Sequence, residues 1–574
     1  MTTESRSAWN SRHLAWLLGL FLLALLPRLY SAQTLGWHWD APGSFTLVNF
    51  DEAGSCRAAL DGFNYSGFIG RQTIALAELL GHAPDPGIVG NERAVKAYCH
   101  SAEHILVARS YSAFAGALTV VALAVIALLL VPSQPAVAWT AGGLLALSGF
   151  HISESHSGTV DAPSVFFIYT FIAVLIYAVG RRSRAGLALS PLFLVPAVWA
   201  KYWVFALFAY LALLPEKVWR YLSHGMSAFR IALVVLATAV FLGLATNQDF
   251  RDSGYYYLLA TWYLVIPWRG VHRPMTAFWL LLPLVLFLIV QVGPIEKYTS
   301  GGADGRFGTG YGAIGWNKWL RNLVNLPAVL LVGLGIPACL FIPAGIRRAF
   351  RAEGDVRAWL CLLPFLAFAL FMAFLAPVTY YRHYLALLPV AALLSACGLF
   401  ATRWADRRWF MALFFAWPAL LALDLVRDYH DDPRRELRPW FEQHRGERFY
   451  LSYYVNPPPE AVRGAARLFR PEYAFGDAAA LQQAGYLILS ENWYDTAFAN
   501  ELNGPVVSHL DRLVKTTPEY ARFYRDALAG RHPNLILEES FDVTNFMPEL
   551  LLHRWLYGTF QLFVGDIRIL RVVD

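Results

Sequence analysis

The sequence predicts an all-α polytopic membrane protein with about 13 transmembrane helices and a C-terminal soluble α/β domain. Three observations lead there. Apolar residues make up 57% of the chain and charged residues only 15%, against about 25% charged in an ordinary soluble domain. From residue 105 to 425 apolar runs alternate with short loops, and the loops on one side are rich in arginine. After Leu425 the composition turns polar and strand-like segments appear. A bilayer requires each backbone polar group to be satisfied internally, so polar chemistry is confined to loops and inward-facing positions.

The spans are expected at 13–31, 105–131, 136–150, 162–180, 186–200, 202–215, 229–246, 254–268, 275–293, 320–344, 357–376, 384–401 and 409–425. The first has the basic start and apolar run of a signal peptide. Pro27-Arg28-Leu29-Tyr30 lacks the small residues of a cleavage site, so the segment reads as a retained anchor. With the N-terminus in the cytoplasm, the inside loops carry the arginine groups at 181–184, 347–357 and 403–408. The short outside loops carry only scattered cations such as Lys201 and Arg382. That bias sets the orientation, and an odd number of spans leaves the C-terminal domain outside. The location that follows is a bacterial inner (plasma) membrane with a periplasmic C-terminal domain.

Two domains are expected, 1–425 in the membrane and 426–574 beyond it. Residues 32–104 form a long first outside loop with glycine-rich turns and a short amphipathic helix, Gln72 to Leu80, able to lie in the interface. Its two cysteines, Cys56 and Cys99, either form a disulfide or remain free thiols; Cys339, Cys361 and Cys397 fall within spans as packing residues. In the C-terminal region Phe449 to Val455, Tyr486 to Ser490, Leu535 to Glu538 and Ile567 to Val572 read as strands. Ala461 to Phe469, Ala478 to Ala484 and Glu519 to Ala529 read as helices.

The chemistry-bearing residues cluster in the outside loops. Asp51-Glu52 follows the first span; Asp51 is either a general base toward an acceptor hydroxyl or the N-cap of a helix from Glu52 to Leu60. The stretch His151 to His156, followed by Asp161, reads as a short polar second outside loop. Glu154 and Asp161 there open onto the same face as Asp51. His151, Glu154 and His156 do not match a metal-ligand spacing, so no metal or other cofactor is expected, although a divalent ion fits the chemistry of a carboxylate site. Lys201 either snorkels to the interface or meets an anion. Arg382, within Tyr380-Tyr381-Arg382-His383-Tyr384, either belongs to an aromatic belt or forks onto a phosphate. The glycine-rich loop 293–319 follows no strand and is not a nucleotide loop; it reads as a lid. The net charge of +6 lies mostly in loops beside spans and does not point to nucleic acid.

Taken in order, these segments resemble the membrane-embedded glycosyltransferases of the C superfamily, nearest to the protein O-mannosyltransferase-like and lipid A aminoarabinose transferase families. The family's first-loop acidic pair resembles Asp51-Glu52. Its entry to the second span resembles Ile105 to Arg109, and its second-loop carboxylate resembles Asp161. Its lysine closing the fifth span resembles Lys201. Its Arg-Tyr-led segment ending in proline resembles Arg382 to Pro389, with His383 where tyrosine is usual. The resemblance implies inverting transfer of a hexosyl or pentosyl group from a polyprenyl-phosphate donor to a lipid, glycan or protein acceptor on the outer face. Asp51 would act on the acceptor, Glu52 and Asp161 would support it, and Lys201, Arg382 and His383 would hold the lipid phosphate. Glu154 and His156 are secondary candidates. A transporter or flippase for a lipid-linked saccharide, or a non-catalytic envelope-assembly scaffold, is the alternative. No internal repeat of the transporter kind is visible in the chain.

Overall fold

The computed structural model describes residues 11–36, 47–63, 66–181, 183–190, 193, 196–197, 200–201, 316–351, 356–374, 381–452, 454–455, 457, 466–469, 477–498, 518–559 and 562–573. Four expected spans, between 202 and 293, and residues 293–315 of the expected loop 293–319 lie outside these residues, while 316–319 are helical. Among those described, six helices are long and apolar enough to cross a membrane. A bent pair makes a seventh if it counts as one span.

Helix α1 (Ser11–Thr34) packs on α5 (Ala102–Leu130), the longest apolar helix described. Between them runs the long first loop. A 3-10 turn, Phe50–Ala53, leads into α2 (Gly54–Asp61), α3 (Gly67–Leu79) and α4 (Glu92–Cys99). The amphipathic helix thus starts five residues before the expected Gln72, because Gly67 and Gly70 let it press against α2. A β-carbon at Gly70 would sit 1.9 Å from the Ser55 carbonyl oxygen. Cys56 and Cys99 are joined in a disulfide that ties α2 to α4. Closing a loop of that length limits the unfolded chain by about 4 kcal/mol on the entropic account.

Helices α6 (Pro135–Ala146) and α7 (Gly149–His156) meet at a 58° bend. The expected polar loop after residue 150 is therefore a correction: His151 to His156 is helical and buried. The Ser148 hydroxyl caps α7 by accepting from the His151 N–H. The Arg28 guanidinium, wholly buried, donates to the Leu145 and Ala146 carbonyls at the end of α6, each at 3.1 Å, and to His151 Nδ1 at 2.8 Å. Carbonyls at a helix end lack intrahelical partners and carry the negative end of the dipole. A cation from α1 satisfies them here, and so the bend stands inside an apolar bundle.

Helix α8 (Asp161–Arg181) follows, then the short α9 (Arg184–Leu189). After the undescribed stretch comes α10 (Trp316–Cys339), broken at Gly335 with φ of 78°, and the amphipathic α11 (Ile342–Arg351). The expected single span 320–344 is thereby split, since proline and a left-handed glycine interrupt the ladder. Helix α12 (Val356–Phe374), a 3-10 segment (Tyr381–Leu387), α13 (Leu388–Leu399) and α14 (Arg408–His430) follow in the bundle. Helix α14 runs five residues past the expected Leu425, so the polar junction begins inside its last turn.

Beyond α15 (Leu437–Gln443) lies a five-stranded sheet. Its strands are β1 (Arg448–Leu451), β2 (Ala466–Phe469), β3 (Tyr486–Ser490), β4 (Leu535–Phe541) and β5 (Ile567–Val572), in the order β2-β1-β3-β5-β4. β1 pairs in parallel with β2 and β3, and β5 runs antiparallel between β3 and β4. Ala466 to Phe469 was expected to end a helix. It is a strand because parallel pairing with Arg448 to Leu451 outweighs the helical propensity of Ala466, Arg467 and Leu468. β3 is apolar on both faces: Leu487 and Leu489 enter one core, Ile488 the other. Helices α16 (Ala478–Leu481), α17 (Glu491–Tyr494), α18 (Pro518–Leu528) and α19 (Pro548–Tyr557) complete the region.

Candidate functional site

The first 3-10 turn sorts the acidic pair. Asn49 caps it, accepting from the Asp51 N–H at 3.0 Å, while Glu52 accepts from the Val48 and Asn49 N–H groups. The cap expected of Asp51 is thus supplied by Asn49, and Asp51 makes no capping bond to α2. Successive residues of such a turn point about 120° apart, so the two carboxylates face different surroundings.

Glu52 is buried. Its oxygens take both prongs of the Arg109 guanidinium, at 2.6 and 2.9 Å, and the Gly158 N–H at 3.1 Å. Arg109 also donates to the Leu35 carbonyl at 2.5 Å. This group ties the first loop, α1, α5 and the turn between α7 and α8 into one unit. Gly158 lets the turn approach α5 closely, since a β-carbon there would press on the Ala108 methyl at 3.0 Å.

Asp51 turns outward, about one-third exposed, and pairs with Arg382 at 2.5 Å. Arg382 and buried His383 sit in the 3-10 segment Tyr381–Leu387. Asp161, the first residue of α8, pairs with the Lys201 ammonium, and both are buried. Lys201 therefore meets an anion and does not snorkel. Glu154 on α7 lies within electrostatic reach of Asp161, Arg382, Lys201 and Asp51. Asp51, Glu154, Asp161, Lys201 and Arg382, which the chain spreads over more than three hundred residues, are thus gathered at one place. One oxygen of Asp161 and one of Glu154 are buried without a hydrogen-bond partner among the described residues. They present acceptors to any hydroxyl, ammonium or cation that enters.

His156 does not join this group. It lies two positions from Glu154, about 200° around the helix, and bonds to Ser31 of α1 at 2.9 Å with its ring edge on Tyr429. His151 is engaged by Arg28. Among the described residues no group of three or more histidine, cysteine or acidic side chains is placed to hold a metal ion.

Arg28 organises the α6–α7 bend and Arg109 clamps Glu52, yet the sequence reading assigned a role to neither. The signal was available: an arginine inside an apolar run is costly at the centre of a bilayer and so points to a buried partner.

No family model and no curated protein matches the chain. Among solved structures it is similar to the Archaeoglobus fulgidus oligosaccharyltransferase AglB in complex with an inhibitory peptide and a dolichol-phosphate. That match has 12% identity and a TM-score of 0.47, covering 98% of this chain and 88% of that one. An Archaeoglobus fulgidus oligosaccharyltransferase complexed with zinc and sulfate matches at 12% identity and TM-score 0.44, covering 86% and 70%. Its form tethered to an NVT acceptor peptide matches at 11% and 0.46, covering 98% and 89%. These values fall short of a shared-fold assignment, and the site is read from its own geometry.

Proposed function

We propose that this protein is an integral-membrane glycosyltransferase that moves a sugar from a polyprenyl-phosphate donor to an acceptor at the non-cytoplasmic face. The observation behind this reading is the gathering of two cations and three carboxylates, Lys201 and Arg382 with Asp51, Glu154 and Asp161, from five separate segments at one place in a helical bundle. The order of these residues along the chain supports it, since it resembles that of the C-superfamily enzymes.

In the resting site Asp51 occupies the Arg382 guanidinium. An arriving lipid phosphate competes for that planar fork, and the exchange releases the Asp51 carboxylate toward the acceptor. Asp51 then takes the proton of the acceptor hydroxyl while its oxygen forms a bond to the anomeric carbon. The bond from that carbon to the phosphate oxygen breaks on the opposite face, inverting the centre. The electron pair leaves with the lipid phosphate, whose growing charge Arg382 and Lys201 offset in a water-poor setting. Asp161 holds Lys201 in place. The free oxygens of Asp161 and Glu154 accept hydroxyls of the sugar.

The test is incubation of the purified protein with labelled polyprenyl-phosphate sugars, beside Asp51→Asn. Loss of general-base action lowers transfer by about 100-fold or more, while the variant still inserts and stays monodisperse. A parent protein that consumes none of these donors, or an Asp51→Asn variant with undiminished transfer, sinks the reading.

A further inference from the structure

Helix α19 belongs to the C-terminal region by sequence, yet it is seated in the bundle. Glu549 accepts from the Trp417 indole N–H at 2.6 Å and from the Ile336 backbone N–H at 2.9 Å. Ile336 follows the break at Gly335, within the apolar stretch Asn322–Cys339. Trp417 lies in the middle of Trp409 to Leu423, a stretch of α14 with no charged residue. By helical rise that stretch is about 22 Å long, and Trp417 stands roughly 10 Å inside the Asp424 end. Asp424 in turn accepts from the Phe546 and Met547 N–H groups, at 2.8 and 2.7 Å, just before α19 begins. The helix therefore enters at the Asp424 level and reaches, through Glu549, to the depth of the apolar middle of α14.

The opposite face of α19 is also apolar. Leu550, His553 and Tyr557 are buried against the bundle, whereas Leu551, Leu552 and Trp555 are 48%, 50% and 80% exposed. Phe546, just before the helix, is 49% exposed. The polar residues of α19 are turned to protein, Glu549 to Trp417 and Ile336, His553 to Tyr381 and Arg554 to Glu491 and Asp566, so the outward stripe is left to leucine and tryptophan, as on a helix that faces lipid. Leu413, Leu420 and Leu423 on α14 are exposed in the same manner, as the lipid side of a span should be.

We propose that α19 is a re-entrant membrane element, with Leu551, Leu552 and Trp555 lying against the hydrocarbon chains of bilayer lipid. The C-terminal region is then anchored in the bilayer by a helix of its own and is not a wholly aqueous domain. The anchored helix also meets the site's frame, because His553 and Tyr557 pack edge-on against Tyr381, the neighbour of Arg382, at 4.7 and 5.5 Å.

The test uses the full-length protein in nanodiscs, with Leu552→Cys and Trp555→Cys each labelled with bimane. The exposed position Ala478→Cys serves as an aqueous control, and the parent, with its own free cysteines, serves as the blank. The inference expects bimane at both α19 positions to be quenched severalfold more by nitroxide-labelled phospholipid than at Ala478→Cys, and to be shielded from iodide. Quenching by iodide places the face in water. Shielding from both quenchers places protein over it. Either result overturns the inference, and two independent positions keep the test decisive if one variant fails to fold.

Discussion

Two neighbouring carboxylates do different jobs here, and only their surroundings separate them. Glu52 is fully buried in a two-pronged pair with Arg109, and Asp51 is partly exposed beside Arg382. Removing one partner of a buried pair strands the other's charge, at a cost of about 3–5 kcal/mol. Arg109→Met is therefore expected to lose its monodisperse peak, in heated detergent extracts, at temperatures where the parent survives. Transfer should fall only in proportion to the folded protein that remains. The acidic pair was legible in the sequence as a feature. The resemblance gave the acceptor to Asp51, but that Glu52 is turned away onto Arg109 was not legible, because the turn's angular step, and not the residue type, decides it.

His100 gives a residue-scale pH dependence in the long first loop. Burial holds its imidazole down to about 4 from the usual 6.5, helped by Lys96 and Arg57 and opposed by Glu52. The folded state thus favours the neutral ring. That contribution is complete above pH 6.5 and is lost as the pH falls toward 4, where the unfolded chain takes up the proton first. Hydrogen exchange in residues 47–101 should accelerate as the pH drops through this window, after correction for intrinsic rates. His100→Gln should flatten the slope; an unchanged slope would assign it to other groups.

At the scale of elements, two breaks in apolar helices shape the bundle, and each is stabilised by a charged side chain from elsewhere. Arg28 of α1 satisfies the carbonyls at the α6–α7 bend. Glu549 of α19 takes the Ile336 N–H freed by the α10 break. At that break Gly335 has φ of 78°, and a β-carbon would stand 2.6 Å from the Trp417 ring. Gly335→Ala is expected to destabilise the protein by more than the roughly 1–3 kcal/mol of backbone strain alone, because the indole that bonds Glu549 must also move. Thermal unfolding in detergent measures this, and a variant as stable as the parent would show that the break is not held by this contact. The sequence showed both regions as apolar runs with the right residues for helices. Hydropathy reports length and polarity, whereas a bend depends on which distant side chain satisfies the opened backbone.

For the whole molecule, Asp51 pairs with Arg382 and Asp161 with Lys201, and Glu154 lies within electrostatic reach of both pairs. These residues could be singled out from the sequence because charged residues are costly in a bilayer, so those near span ends are few enough to enumerate. His156, one of those enumerated, went elsewhere, since the loop expected to carry it is a helix that turns it toward Ser31 and Tyr429.

The sequence by itself determined the solvent, the apolar helices, most strands of the C-terminal sheet and the short set of ionisable residues from which a site could be built. Composition and periodicity carry that information locally, because burial of apolar surface and internal backbone pairing act residue by residue. The tertiary structure alone decided the partners: Glu52 with Arg109, Asp51 with Arg382, Asp161 with Lys201, Arg28 at a helix end and Glu549 deep among the spans. A charge in a low-dielectric interior is stable only beside its complement, and the identity of that complement depends on the packing of segments hundreds of residues apart.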